Sequence, residues 1–172
     1  MRKLLITAFS IVALTGATAN AENQDTNLTN EEQFRTALSA PGMLSLKESQ
    51  IALKKSSNPK VKEFATFEVG EQTAISTVLK ELNTPEPKIS AQDSAILEKL
   101  NTAKDAEFDK AYLDAQIDGH KKLKMITESY LDNGKTADSD VKEMHARHIA
   151  LIANATIKQH LANAIELNKS VK

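Results

Sequence analysis

The sequence predicts an all-α protein in which four long helices pack as an antiparallel bundle. Apolar residues recur at helical spacing in four long stretches, which is the pattern of amphipathic helices. Only 5 glycines and 4 prolines occur among 172 residues, too few for the many turns of a β-sandwich or barrel. The connection between the second and third long helices spans roughly 20 residues and carries a short helix, whereas the others are short.

The first 21 residues have the pattern of a cleaved signal peptide. Arg2 and Lys3 precede an apolar run at 4–16, and small residues follow at 19–21. The run is shorter than the roughly 20 residues that span a bilayer, so we expect cleavage after Ala21 rather than a membrane anchor. We therefore expect a periplasmic or secreted protein without a transmembrane segment, and peripheral association with an outer membrane stays open.

The remaining chain divides into a lead and one domain. Residues 22–29 are polar and aperiodic, so we expect a disordered lead before the domain at residues 30–172. Pro41-Gly42 predicts a kink or a break in the first helix, and Asn133-Gly134 predicts a left-handed helix end. Asn30, Asn58 and Ser90 are expected N-caps. The predicted helices lie at 43–57, after a short helical turn that begins near residue 30, and at 59–82, 90–101, 105–132 and 138–168.

Composition excludes several classes of function. The absence of cysteine excludes thiol nucleophiles, iron–sulfur clusters and cysteine zinc sites. A formal net charge of −1 leaves no excess of basic residues with which to bind nucleic acid. No Gly-x-Ser-x-Gly turn, His-Glu-x-x-His helix or glycine-rich phosphate loop occurs. We therefore predict no nucleic-acid partner and no catalytic residues, and we favour a protein that is not an enzyme.

Each long helix places a metal-binding type of side chain on or beside its apolar face. Several helices must contribute ligands because one helix cannot surround an ion, and histidine with carboxylate suits zinc, iron or manganese. The alternative is that these side chains make ordinary hydrogen bonds at the core boundary. The candidate metal ligands are His120, His160, Glu68, Glu71 and Glu48.

Five segments carry a resemblance to a known family: 49–53, 57–65, 108–116, 119–122 and 156–161. With them the chain, over about residues 31–168, resembles an exported bacterial family of unknown function. That family has a ferritin-like four-helix bundle, and its members are often labelled predicted or putative outer-membrane proteins.

The resemblance implies a ligand group inside the bundle. The family pattern has a Glu in the first helix, an acid followed by His in the second, and a His in each of the last two. His120, His160 and Glu71 match this pattern. Ser45 stands at the Glu position of the first helix and Gln72 at the His position of the second. Glu48 and Glu68, about one turn away, are the candidates to replace them.

The ferritin-type di-iron signature is absent. That signature has Glu three residues before each ligand His, and this chain has Ile117 and Ile157 there. Two functions stay open. One is an exported bundle that is not an enzyme and serves envelope stress, an envelope protein partner or a homo-oligomer. The other is a ferritin-like metal-binding protein with an internal His/Glu site.

Overall fold

The computed structural model describes residues 27–134 and 140–171. Within them the chain forms five helices and no strand, which confirms the all-α prediction. The predicted signal peptide and residues 22–26 of the predicted lead lie outside the described residues. The helices are α1 Glu31–Lys55, α2 Pro59–Glu81, α3 Ala91–Thr102, α4 Asp105–Asn133 and α5 Val141–Ser170.

The helix starts follow the capping residues of the sequence. The side chains of Asn30 and Asn58 accept hydrogen bonds from backbone N–H groups in the first turns of α1 and α2. Ser90 and Asp93 form a reciprocal capping box on α3. The side chain of Asp140 accepts hydrogen bonds from the backbone N–H groups of Lys142 and Glu143 and so caps α5, two residues after the predicted start of that helix.

Pro41-Gly42 does not break α1, so the prediction of a break is wrong. Both residues are buried inside one continuous helix. A Cβ on Gly42 would lie 2.9 Å from Oε1 of the Gln72 side chain, so the missing side chain lets α2 approach closely. Packing against neighbouring helices thus outweighs the hydrogen bond that a proline removes.

The end of α4 also differs from the prediction. Gly134 has φ −67° and an extended backbone rather than a left-handed one. Glycine is needed at this position for a steric reason, because a Cβ on residue 134 would lie 2.5 Å from the Tyr130 carbonyl oxygen. Within residues 27–134 and 140–171, the residue with a left-handed backbone is Asn83, with φ 58°, just after α2.

Part of the predicted disordered lead is ordered. Leu28 is buried in the core, and its backbone N–H donates to the Ser129 hydroxyl over 3.1 Å. Residues 27–29 therefore pack against α4, because an apolar side chain interrupts the polar run.

Hydrogen bonds between helices fix their directions. Arg35, near the start of α1, donates to the Leu82 carbonyl after α2, and Ser45 donates to Glu68. These two pairs make α1 and α2 antiparallel. The pairs Ser45–Gln116 and Ser49–Tyr112 make α1 and α4 antiparallel in the same way.

The last helix returns along α4. Tyr130 donates to Glu143, and Asn154 donates to Thr127, so α4 and α5 are antiparallel. Because α2 and α4 both oppose α1, they run parallel to each other. The connection between them must therefore return along the molecule, and α3 lies on it against α1 and α4.

The core consists of two apolar clusters with a layer of polar side chains between them. One cluster contains Phe34, Leu38 and Tyr130, and the other contains Phe64 and Tyr112. Each long helix has buried polar residues between the parts that enter the two clusters, and others, such as Arg35 and Asn154, lie within one cluster's stretch of helix. We call the following residues between the clusters the polar layer: Ser45, Glu48, Glu68, Gln72, Gln116, His120 and His160. No described helix is both long enough and apolar enough to cross a membrane.

Candidate metal centre

His120 enters the polar layer from α4 and is fully buried. Its Nδ1 lies 2.7 Å from the Gln116 carbonyl oxygen one turn earlier. A carbonyl only accepts hydrogen bonds, so Nδ1 is the donor and Nε2 of the neutral ring carries a lone pair. That Nε2 lies 2.9 Å from Oε1 of Glu68 on α2. The tautomer held by Gln116 therefore presents a free nitrogen to a carboxylate.

His160 reaches the same carboxylate from α5. Its Nδ1 contacts Glu68 Oε1 and lies 3.0 Å from Glu71 Oε2. Glu68 and Glu71 are three residues apart on α2, so they share one helix face. Glu68 is completely buried, whereas the side chains of His160 and Glu71 are 10% and 15% exposed. The group therefore reaches from the core towards the surface between α2 and α5.

The facing atoms of this group lack ordinary hydrogen bonds. Among the described residues no hydrogen bond of normal geometry reaches Glu68 Oε1, either Glu71 oxygen, His120 Nε2 or His160 Nδ1, and all five atoms are buried. The donor atoms of Glu68, His120 and His160 lie within 4.8 Å of one another. Donor atoms this close together can share one cation. Such unsatisfied buried groups are destabilising unless a positive charge lies among them.

Phe64 closes one side of the group. Its ring centroid lies 6.4 Å from the His120 ring and 5.8 Å from the His160 ring. The two imidazole rings lie 5.9 Å apart. Because Phe64 is buried, it restricts water on this side and limits the orientations of both imidazoles.

The charges of the group favour an anionic Glu68 beside a cationic His160. Burial alone would raise the pKa of Glu68, but contacts with His120 and His160 outweigh it and lower this pKa to about 2. Burial would likewise lower the pKa of His160, but contacts with Glu68 and Glu71 raise it to about 9. The positive charge that the carboxylates require is thus supplied by a proton on His160, which a metal cation would displace.

A second set of contacts holds Glu68 through its other carboxylate oxygen, Oε2. The Ser45 hydroxyl lies 2.9 Å from Glu68 Oε2 and 3.0 Å from Gln116 Oε1, and it donates its one proton to either oxygen. Gln116 Nε2 donates to Glu48 Oε2 over 2.5 Å. Contacts of this kind fix the orientation of a ligand carboxylate without touching the ion.

Glu48 does not join the facing atoms, although the sequence makes it a candidate ligand. It is separated from Glu68 by Gln116 and Ser45. Burial raises the pKa of Glu48 to about 8, and the negative charge of Glu68 adds to this effect against the Gln116 hydrogen bond. At neutral pH Glu48 is therefore mostly a neutral acid, unlike the anionic Glu68.

The structure brings together four of the five candidate ligands: Glu68, Glu71, His120 and His160. Of the two candidates to replace Ser45 and Gln72, Glu68 contacts both histidines and Glu48 contacts neither. Ser45 instead supports Glu68, and Gln72 packs beside Gly42. Sequence reasoning missed Gln116, whose signal was a polar side chain one turn before His120 on a helix face that is otherwise apolar.

The comparison with protein families gives one result for this all-helical chain with a buried His/Glu group. Residues 15–167 match the family described as Domain of unknown function (DUF4142), which covers most of the sequence. The chain belongs to the DUF4142 family. Neither the curated proteins nor the solved structures contain a match to this chain.

Proposed function

We propose that this protein is a ferritin-like four-helix bundle that binds a divalent transition-metal ion through Glu68, Glu71, His120 and His160. The observation that carries the proposal is the convergence of buried carboxylate and imidazole ligand atoms from α2, α4 and α5, those of Glu68, His120 and His160 lying within 4.8 Å of one another. One bound cation would accept lone pairs from all four side chains and would offset their negative charge.

The directions of the helices support the ferritin-like part of the proposal. In that architecture one long crossover joins two parallel helices of the bundle, and metal ligands project inward from facing helices. Here the connection that carries α3 joins the parallel helices α2 and α4. The candidate ligands project inward from α2, α4 and α5.

The donor set suits zinc, iron or manganese, because it combines imidazole nitrogens with carboxylate oxygens. When bound, such an ion supplies a Lewis acid in a largely buried site. The chain's own residues hold and orient it: the Gln116 carbonyl fixes the His120 tautomer, and Ser45 fixes the Glu68 carboxylate. Ile117 and Ile157 stand where a di-iron oxidase would have Glu, so we propose metal binding without oxidase activity.

The test is thermal unfolding of the purified protein with and without added metal. Saturating Zn²⁺, Mn²⁺ or Fe²⁺ should raise the Tm, because an ion at 100 times its Kd stabilises the native state by about 2.7 kcal/mol. The His120→Ala/His160→Ala double variant should lose this rise. The matched control is His145→Ala/His148→Ala, which removes two exposed histidines from α5 and should keep it. A wild-type Tm unchanged by all three metals would contradict metal binding.

We also propose that the chain is exported to the periplasm after cleavage behind Ala21. The support is the charged start, apolar run and small residues of 1–21. Protein isolated from the periplasmic fraction should begin at Glu22 by N-terminal sequencing. Protein found only in the cytoplasm with Met1 or Arg2 at its start would contradict export. If the protein is exported and binds no metal, a partner in the envelope becomes the better proposal.

A further inference from the structure

A cleft of about 350 Å³ lies beneath α3, and none of the proposed metal ligands lines it. It is enclosed by α1, α3 and α4. Ile96 of α3 and Ala115 of α4 form part of its walls, and Ser45 and Glu48 of α1 also line it. The cleft therefore reaches the polar layer from a face of the molecule that the proposed ligands themselves do not touch.

The inner end of the cleft is one hydrogen bond from the proposed centre. Ser45 and Glu48 line the cleft although they are only 3% and 2% exposed, so it narrows onto buried polar groups. Ser45 also contacts Glu68 Oε2 over 2.9 Å. The cleft thus ends at Ser45, which contacts one oxygen of the Glu68 carboxylate, and the other oxygen contacts His120 and His160.

A glycine leaves space in the wall of this cleft. Gly119 lines it and immediately precedes His120, and a Cβ on Gly119 would meet no atom within 4 Å. Glycine inside a helix is less favourable than alanine, so its presence here is not explained by helix propensity. A larger side chain at position 119 would project into open space without a steric clash near its Cβ, and would reduce the free volume.

Several side chains that carry oxygen atoms line the cleft. Asp93, Asp114 and Asp118 contribute to the wall nearer the surface, and Glu48 and Ser45 lie at the inner end. Lys99 and Lys122 also line the cleft, so its charge is mixed rather than uniformly negative. Carboxylate and hydroxyl oxygens can replace water around a divalent cation in steps as it leaves bulk solvent.

We propose that this cleft is the route by which a divalent cation reaches Glu68 from solvent. The proposal rests on the metal binding proposed above and adds the path of entry. The competing path runs between α2 and α5, where Glu71 and His160 are slightly exposed. On that side the ligand side chains themselves fill the opening, and Phe64 packs against His160.

The test is the rate of Co²⁺ loading, followed by stopped-flow absorbance, in a matched pair of glycine variants. Gly119→Phe places a ring in the cleft beside the ligand His120. Gly70→Phe places the same ring beside the ligand Glu71, but on the exposed face of α2, where a Cβ also meets no atom within 4 Å. We expect Gly119→Phe to slow loading by about tenfold or more, because entry would then require opening of the helices. Gly70→Phe should load at the wild-type rate.

A second variant separates blocking from damage to the site. Ala115→Leu narrows the same cleft five residues from His120, and it should slow Co²⁺ loading as well. Both cleft variants should keep the wild-type Co²⁺ stoichiometry and Kd, because a blocked route slows entry and exit alike.

The outcomes distinguish the two proposals. Loading at the wild-type rate in both cleft variants would overturn the route while leaving metal binding intact. Slower loading in Gly70→Phe but not in Gly119→Phe would assign entry to the side between α2 and α5, and would also overturn the route. Failure of the wild-type protein to bind Co²⁺ at all would overturn both.

Discussion

The two sides of the polar layer differ in how their buried polar atoms find partners. On the side of α2, α4 and α5, buried nitrogens and carboxylate oxygens face one another without ordinary hydrogen bonds. On the side of α1 and α4, Ser45, Gln116 and Glu48 form a continuous chain of hydrogen bonds. Both sides are largely buried, so burial alone does not distinguish them. The difference lies in whether enough hydrogens are present to satisfy the acceptors.

The two buried glutamates show the same contrast in their charges. Burial opposes ionisation of both carboxyls, yet the pKa of Glu68 is about 2 and that of Glu48 about 8. Glu68 has two imidazoles beside it, whereas Glu48 has an amide and the negative charge of Glu68. Neighbours of opposite charge therefore decide which carboxylate is available to a cation.

Removing the Glu68 carboxylate should have the largest effect. Glu68→Gln should raise the Kd for Zn²⁺ more than about 100-fold, because it removes a charged ligand at the centre of the group, where even supporting residues are worth 10–100-fold. Isothermal titration calorimetry measures this change. Glu48→Gln is the matched control and should keep the Kd within a few-fold. Equal losses in the two variants would erase the contrast between the two sides.

The pH dependence of stability should identify Glu48 as the buried neutral acid. Its pKa in the folded state, about 8, lies above the ordinary value of 4.5, so the folded protein holds this proton more tightly than the unfolded chain. Its contribution is therefore most favourable below pH 4.5 and declines as the pH rises towards 8, by at most about 1.4 kcal/mol per pH unit. In the metal-free protein, Glu48→Gln should reduce the loss of stability between pH 5 and pH 8.

Urea unfolding at several pH values measures that slope. The same slope in the wild type and in Glu48→Gln would show that Glu48 is ionised in the folded protein. The two sides of the layer would then not differ in charge.

Removing the hydrogen bond between Ser45 and Glu68, which joins the two sides of the polar layer, should have a smaller effect on metal affinity. Ser45→Ala leaves Glu68 Oε2 without its hydroxyl partner and should weaken Zn²⁺ binding by about tenfold, while the stoichiometry stays the same. Ser39→Ala is the control, because that hydroxyl on the same helix donates only to a backbone carbonyl. A Zn²⁺ affinity of Ser45→Ala equal to that of Ser39→Ala would mean that Ser45 does not position Glu68.

Local sequence signals predicted most of the fold. Capping residues and apolar periodicity located the long helices, because those signals act within a few residues. Pro41 misled the prediction because its effect depends on the helix packed against it. The sequence assigned Leu28 to the lead because the residues around it are polar. What orders Leu28 is its contact with α4, which is distant in sequence.

The candidate site was predictable to a similar extent and for the same reason. Helical spacing placed His120, His160 and Glu68 on inward faces. It could not separate Glu68 from Glu48, because both lie on inward faces of neighbouring helices. The relative rotation and shift of α1 and α2 decide which carboxylate meets the imidazoles, and these depend on contacts across the whole bundle.

The most direct test of a metal centre in the polar layer is the metal content of the protein purified without an affinity tag, measured by elemental analysis. We expect about one transition-metal ion per chain, because four donor side chains fill one coordination sphere. That ion should be lost in His120→Ala/His160→Ala and retained in His145→Ala/His148→Ala. Metal-free wild-type protein that does not take up added zinc, manganese or iron would contradict this expectation, as would equal metal in both double variants.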